Sequence, residues 1–360
     1  MTCENVLIIF TICVNYRFGR KRMCIIFCLL YSLCCLSKLS SNFTSLLIGR
    51  VLGGISTSVL FSVFESWYIH QHTVRKSYPV SWLSLTFSKA TFFNGVLAIV
   101  AGIVAEVGVE GFNLGPVAPF VMAVPWLIIA AVFITLTWEE NYGEQDLNWI
   151  VSCREGLHTI INDRRILSLG MVQSIFESNM YIFVFLWTPV LEAGKPPLGI
   201  TFSCFMVAIM IGSSLYSVLL TKNVSSQTIL CYCLMVMAAS FCVCVLSTSP
   251  NDGGDYVFAT FSSFVILEIS VGLYFPCIGR LKGETIPENL RANIMNWFRV
   301  PMNVITCTAL VSMHHLNHDR ANQIVFFYCV CSSILGLWTA KYYARSYKTR
   351  VVEDSLLQVA

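Results

Sequence analysis

Charge is scarce in this sequence. Asp, Glu, Lys and Arg make up 12% of its 360 residues, against about 25% in an ordinary soluble domain. Hydrophobic residues make up 56%, and the mean hydropathy is +0.69. A soluble chain of this length needs polar surface that such a composition does not supply. Signatures of chemistry are missing as well. There is no G-x-G-x-x-G turn to cradle a dinucleotide, no H-E-x-x-H pair, and no Ser-His-Asp arrangement, so an enzyme is not expected. The net charge of +3 is too small to mark a nucleic-acid binder. The sixteen cysteines lack metal-ligand spacing in polar loops. They sit within apolar runs as Cys34-Cys35, Cys231-x-Cys233, Cys242-x-Cys244 and Cys329-x-Cys331, where cysteine acts as a small apolar residue facing lipid or a neighbouring helix. No metal and no cofactor are expected.

What is present is length of apolar sequence. A helix needs roughly 20 apolar residues to cross a bilayer. Ten stretches qualify, at about 23–39, 44–69, 82–108, 115–137, 166–190, 198–220, 226–248, 256–279, 293–313 and 321–343. Their ends carry Trp67, Tyr68, Trp82, Trp138, Trp187, Trp338, Tyr342 and Tyr343, as interfacial belts do. The basic residues crowd into alternate connections. Seventeen fall on one side, with Arg17, Arg20, Lys21 and Arg22 at one end of the chain and Lys341, Arg345, Lys348 and Arg350 at the other. Three fall opposite: Lys38, Lys195 and Arg320. Cytoplasmic loops hold the excess of Lys and Arg, so the amino-terminal basic loop, the connection 139–165 and the tail are expected in the cytoplasm.

The expected organisation is an all-helical integral membrane protein. It has an N-terminal helical part (1–138), a central cytoplasmic loop (139–165), a six-helix part (166–343) and a cytoplasmic tail (344–360). Four helices before the central loop and six after it fall short of six plus six, the paired arrangement common in transporters. The apolar stretch Asn5–Tyr16 is too short to span, and its positive cluster follows the apolar part, the reverse of a signal peptide. The chain is therefore expected to lack the first two of twelve helices. A repeat is visible in Phe64-Glu65-Ser66 and Phe176-Glu177-Ser178, with Glu268 as a third acid deep in apolar sequence. One acid in every third helix is what a three-helix repeat produces.

Several strings carry a family resemblance. Tyr16-Arg17-Phe18-Gly19-Arg20-Lys21-Arg22 resembles the D-R-x-G-R-K/R loop signature of the major facilitator superfamily, with Gly19, Arg20 and Lys21 as its matching core. Arg50-x-x-Gly53-Gly54 resembles the basic motif of that superfamily's fourth helix. Residues 30–40, 49–70, 185–191 and 197–200, together with Gly-Leu-Tyr-Phe-Pro at 272–276 and Asn-Trp-Phe-Arg-Val-Pro at 296–301, resemble the molybdate-anion transporter group. That group is the type 5 branch of the superfamily's domain-containing proteins. The likeness covers Phe18 to about Tyr343. Two departures are plain: upstream helices of the family are absent, and Tyr16 stands where the loop signature has its aspartate. The resemblance implies a major facilitator helix bundle and secondary transport of a small oxyanion, molybdate, across the plasma membrane.

Charges inside the spans cost about 2.5–3.5 kcal/mol each on insertion scales and are seldom idle. Six stand out: Arg50, Glu65, Lys89, Glu177, Glu268 and Arg299. One reading pairs all six as salt bridges between helices, with Glu65 and Lys89 as a candidate pair. The other lets cations receive an anion while a carboxylate carries a proton. On that reading the substrate contacts are Arg299, Lys89, Arg50 and the amide of Asn296. Arg299 comes first because a guanidinium fork suits oxyanion oxygens and because Pro301 removes a backbone donor nearby. Proton coupling or ion pairing falls to Glu65, Glu177 and Glu268, the last two roughly 16–18 Å into the membrane by helical rise.

Other features read more plainly. Gly49 and Gly53 form a G-x-x-x-G pair suited to close helix packing. His314-His315-x-x-His318 reads as a solvated loop, and the sequon at Asn42 hugs the membrane. The expected partners are membrane lipid and a small anionic substrate, not nucleic acid, and oligomeric state is open. The rival readings are a transporter of another small solute and a non-transporting relative that assembles with a longer one.

Overall fold

The computed structural model describes residues 19–79, 81–113, 115–142, 149–248, 257–287, 290–315 and 321–359. Ten long helices match the ten expected spans one for one. They are α1 (Arg20–Ser37), α2 (Phe43–His70), α3 (Ser81–Glu106), α4 (Ala118–Thr137), α6 (Arg164–Leu191), α7 (Leu198–Thr221), α8 (Ser226–Ser247), α9 (Val257–Thr285), α10 (Arg291–His315) and α11 (Ala321–Val359). Among the described residues, seven of them contain a stretch long and apolar enough to cross a membrane. α1 opens on three charged residues, Arg20, Lys21 and Arg22, and Arg299 with several polar residues interrupts α10.

The stretch read as a central loop holds an eleventh helix, α5 (Trp149–Asn162). Its apolar residues Ile160 and Ile161 fall on different faces: Ile160 is buried and Ile161 is exposed. This is the amphipathic pattern of a helix lying against a bundle. The expected tail is helical too. Nothing in residues 344–359 is Gly or Pro, so α11 continues to Val359.

The chain forms two compact units, Met1–Trp149 and Ile150–Ala360. In the first, α1 packs against α2 and α4 around Met23, Cys24, Phe27, Cys28, Val59, Val63 and Ile134. The glycine pair performs the packing the sequence assigned to it. A Cβ on Gly49 would fall on the Ser37 side chain, and one on Gly53 would lie 2.9 Å from the Cys34 sulfur. Asn42, the sequon residue, caps α2 by accepting the Thr44 N–H at 3.0 Å.

In the second unit α6 and α9 are the most enclosed of the seven apolar helices, with 67% and 61% of their apolar windows buried. Backbone polarity inside a membrane must be satisfied internally, which helices achieve, and contact between helices then depends on small residues. Gly212 on α7 and Gly272 on α9 meet reciprocally. A Cβ on either would land on a backbone carbonyl of the other helix, Ile269 or Ile209. Gly170 on α6 likewise leaves room for the Phe298 ring of α10.

Polar side chains stitch the same helices. Asn179 on α6, fully buried, donates to the Ser333 hydroxyl at 3.0 Å and the Cys329 carbonyl at 3.3 Å. Its own oxygen accepts from Ser332 at 2.9 Å. Ser270 on α9 donates to the Cys233 carbonyl of α8 at 2.9 Å. Cys233, Cys244, Cys277 and Cys329 are buried at these crossings while Cys204, Cys242 and Cys331 are exposed, the two settings expected for cysteine here.

Candidate functional site

Two places concentrate polar chemistry, one in each unit. The first is the basic motif at the start of α1. The opening N–H groups of a helix have no partners inside it and carry a partial positive charge. Here the Glu140 carboxylate, just beyond α4, accepts the Lys21 N–H at 2.8 Å and the Arg22 N–H at 3.3 Å. The Arg20 N–H reaches the Asn141 carbonyl at 2.9 Å. The Lys21 ammonium donates to the Thr135 carbonyl at 2.8 Å. Gly19 is required twice over: its φ is +87°, and a Cβ would lie 2.5 Å from the Glu140 carboxyl carbon.

The end of α2 joins the same knot. The Trp67 indole N–H donates to the Glu139 carbonyl at 2.9 Å, and Trp67 stacks on Trp138 at 3.6 Å. Arg75 pairs with Glu139. Residues Tyr16 and Arg17 of the motif lie outside the described residues.

The second place is centred on Glu177 in α6. The Tyr274 hydroxyl of α9 donates to Glu177 Oε1 at 3.2 Å, and Gln173 lies one turn earlier on the same side of α6. Gln173 keeps its Oε1 buried with no hydrogen-bond partner. Tyr274 is fully buried and fixed by stacking on Phe176 at 3.8 Å. Two cations act on Glu177: Lys282 near the end of α9 and Arg299 of α10. They also act on each other. Arg299 is half-buried, and α10 is held against α6 by the Ser174 hydroxyl, which donates to the Phe298 carbonyl at 2.9 Å.

Helix α10 is continuous through Pro301. The expected local disruption is therefore confined to the hydrogen bond that proline cannot donate back to the Trp297 carbonyl.

The other expected residues scatter. Arg50 is exposed on α2. Glu268 is 4% exposed on α9, with its Oε2 unpartnered. Glu65 and Lys89 lie on α2 and α3 and Asn296 lies on α10, but their side chains are outside what the structure describes, as are those of His314 and His315 and the whole of His318. The sequence reading named Glu177 and Arg299 in separate roles and gave no site role to Tyr274, Gln173 or Lys282. The expected span ends at 279, before Lys282, whereas α9 runs on to Thr285. Tyr274 and Arg299 sit in the strings 272–276 and 296–301, a signal that was available. Among the described residues no group of three or more His, Cys, Asp and Glu is placed to hold a metal ion.

Comparison with known proteins places these features. The family described as sugar transporters, 12 TM, matches residues 6–266. A Xenopus laevis protein named molybdate-anion transporter is 41% identical over 321 residues, covering 89% of this chain and 71% of that protein. Its Takifugu rubripes namesake is 41% identical over 324 residues, covering 84% and 68%. Among solved structures, a nucleoside transporter, NupG, superposes with a TM-score of 0.72 at 11% identity, covering 95% of this chain and 89% of its own. A peptide transporter, POT, gives 0.72 at 12% identity, covering 95% and 84%. At such identities the likeness concerns the fold alone.

Proposed function

The chain belongs to the major facilitator family of transporters described as sugar transporters with twelve transmembrane segments, and from that premise we propose that it is a secondary transporter of a small oxyanion, molybdate. The observation that carries the substrate is the 41% identity to proteins named molybdate-anion transporter. The surroundings of Glu177 support it: a tyrosine hydroxyl donates to the carboxylate and the charges of Lys282 and Arg299 bear on it, a setting that suits an anion carrying several oxygens. The family description itself favours a second reading, a sugar as substrate. A neutral sugar would leave these cations to ion pairing or proton coupling alone, whereas an oxyanion uses their charge directly.

In this reading Arg299 is the principal anion contact, with Lys89, Arg50 and Asn296 as further candidates. Glu65, Glu177 and Glu268 serve proton coupling or ion pairing. The protein sits in the cell membrane, crossing it many times, with the amino-terminal basic loop and the C-terminal tail in the cytoplasm. It acts on solute rather than as an enzyme. The test is uptake of labelled molybdate by cells lacking their own uptake system. Expression of the chain raises uptake, and excess unlabelled molybdate competes while a neutral sugar does not. Competition by the sugar and not by molybdate would select the second reading.

A further inference from the structure

We propose that His72 is a proton-sensitive latch between α2 and α3. With a proton on each ring nitrogen it ties the end of α2 to α3 through Tyr68; with a proton on one nitrogen alone, that tie is released.

The connection between the two helices is built around this side chain. A wider π turn, Gln71–Arg75, continues α2 and closes with the Lys76 N–H on the Gln71 carbonyl at 2.9 Å. Such turns are rare and gather at functional sites. Ser77 then takes the left-handed conformation, φ +51°, which is uncommon for a residue with a Cβ. The chain reverses there, so the Tyr78 N–H returns to the His72 carbonyl at 2.9 Å. The Tyr78 ring meets the imidazole edge to face at 5.4 Å. His72 is only 5% exposed, and buried polar atoms need partners within the protein. Both ring nitrogens have one. Nε2 lies 3.0 Å from the Pro79 carbonyl, and Nδ1 lies 3.3 Å from the Tyr68 hydroxyl.

The protons can be counted. A carbonyl only accepts, so Nε2 carries a proton. The Tyr68 hydroxyl has a single proton, and it donates to the Thr86 hydroxyl of α3 at 3.1 Å. Toward His72 the Tyr68 oxygen is then the acceptor, so Nδ1 carries a proton as well. Two donating nitrogens make the ring an imidazolium. When Nδ1 gives its proton to water it becomes an acceptor. The Tyr68 proton turns to it, and the bond from Tyr68 to Thr86 is lost. Tyr68 keeps its own proton throughout; one proton passes between Nδ1 and water. Histidine is the side chain suited to such a change near neutral pH.

The groups around the ring leave it free to respond. Tyr68 and Tyr78 are its titratable neighbours. Of the cations on the connection, Arg75 is paired with Glu139 and Lys76 is exposed. From α3 the facing group is Thr86; the side chain of Lys89, about one turn on, lies outside what the structure describes. His70, whose buried Nδ1 has no hydrogen-bond partner, is the group from which His72 must be told apart. On the orientation proposed above, the latch reads the proton concentration of the cytoplasm.

The experiment is amide hydrogen exchange of the purified full chain in detergent, read on peptides covering residues 68–86. It is run at about pH 5.5 and about pH 8, on either side of the ordinary histidine range, and corrected for the intrinsic pH dependence of exchange. Thermal unfolding is recorded for every variant. In the wild type this segment is expected to be about tenfold better protected at the lower pH. His72→Gln is expected to show equal protection at both pH values, while His70→Gln keeps the wild-type response. Thr86→Val preserves the shape and removes the acceptor, and its response is expected to fall below about threefold; it serves in place of His72→Gln should that variant fail to fold. Equal protection of the wild type at both pH values overturns the latch. So does a tenfold response that persists in His72→Gln, or in Thr86→Val where that variant replaces it. Loss of the response in His70→Gln overturns it too, by assigning the proton to His70.

Discussion

The Glu140 carboxylate accepts the Lys21 backbone N–H at 2.8 Å across 119 residues of sequence. A single acid beyond α4 thus finishes the first turn of α1, and the basic motif there is arranged by backbone geometry as much as by its charges. Replacing Glu140 with Ala leaves the Lys21 and Arg22 N–H groups without their acceptor. Caps and charge-assisted hydrogen bonds of this kind contribute about 1–2 kcal/mol. Thermal unfolding in detergent is expected to show a lower midpoint for Glu140→Ala, with most of the loss recovered by Glu140→Gln, which keeps an acceptor oxygen.

A second terminus responds to pH. Asp163 caps α6 by accepting the Arg165 N–H at 2.8 Å, and the Arg165 guanidinium binds its other oxygen at 2.8 Å. Burial alone would raise the Asp163 carboxyl, but these bonds outweigh it and hold the group below its usual carboxylate value. A lowered folded-state pKa means stability that is present above the unfolded value, about 3.9, and lost as pH falls through the folded value. Asp163→Asn keeps the cap and removes the charge. Its unfolding midpoint is expected to differ from the wild type by a constant amount above about pH 5 and to approach it as pH falls from about 4 through the folded value. A difference that stays constant over that fall would remove the linkage.

The orientation read from the basic residues predicts that Arg17–Arg22 and Lys341–Arg350 label from the same face. Single cysteines placed in each segment of a cysteine-depleted chain, probed in intact cells with an impermeant maleimide, are expected to stay unlabelled until the membrane is opened. Labelling of one segment alone in intact cells contradicts the assignment.

The helices were legible because the bilayer writes its thickness into sequence: each apolar run between polar gaps became a helix, although α9 and α11 continue past the ends of theirs. Where polar and apolar residues mix, the record was poorer. Helix α5 hides in a polar connection because only one narrow face of it is apolar. Lys282 was assigned to a loop because a charge ends an apolar window, although nothing ends the helix until Thr285. The Glu177 site could be half seen. An acid deep in a span announces itself by its cost, and Arg299 does the same. Which cation and which tyrosine face that acid depends on helix rotation, set by the Gly212–Gly272 and Gly170–Phe298 contacts, and no periodicity in one chain records how a second helix is turned.

The account is tested most directly by purified chain reconstituted into vesicles, with uptake of labelled molybdate measured for the wild type and for Arg299→Gln and Arg299→Lys. The wild type is expected to accumulate molybdate above empty vesicles. Arg299→Lys, which keeps the charge and loses the planar fork, is expected to show weaker apparent affinity, and Arg299→Gln to fall to the level of empty vesicles while inserting and folding normally. Uptake by Arg299→Gln with the affinity and rate of the wild type would contradict the claim that this arginine receives the substrate.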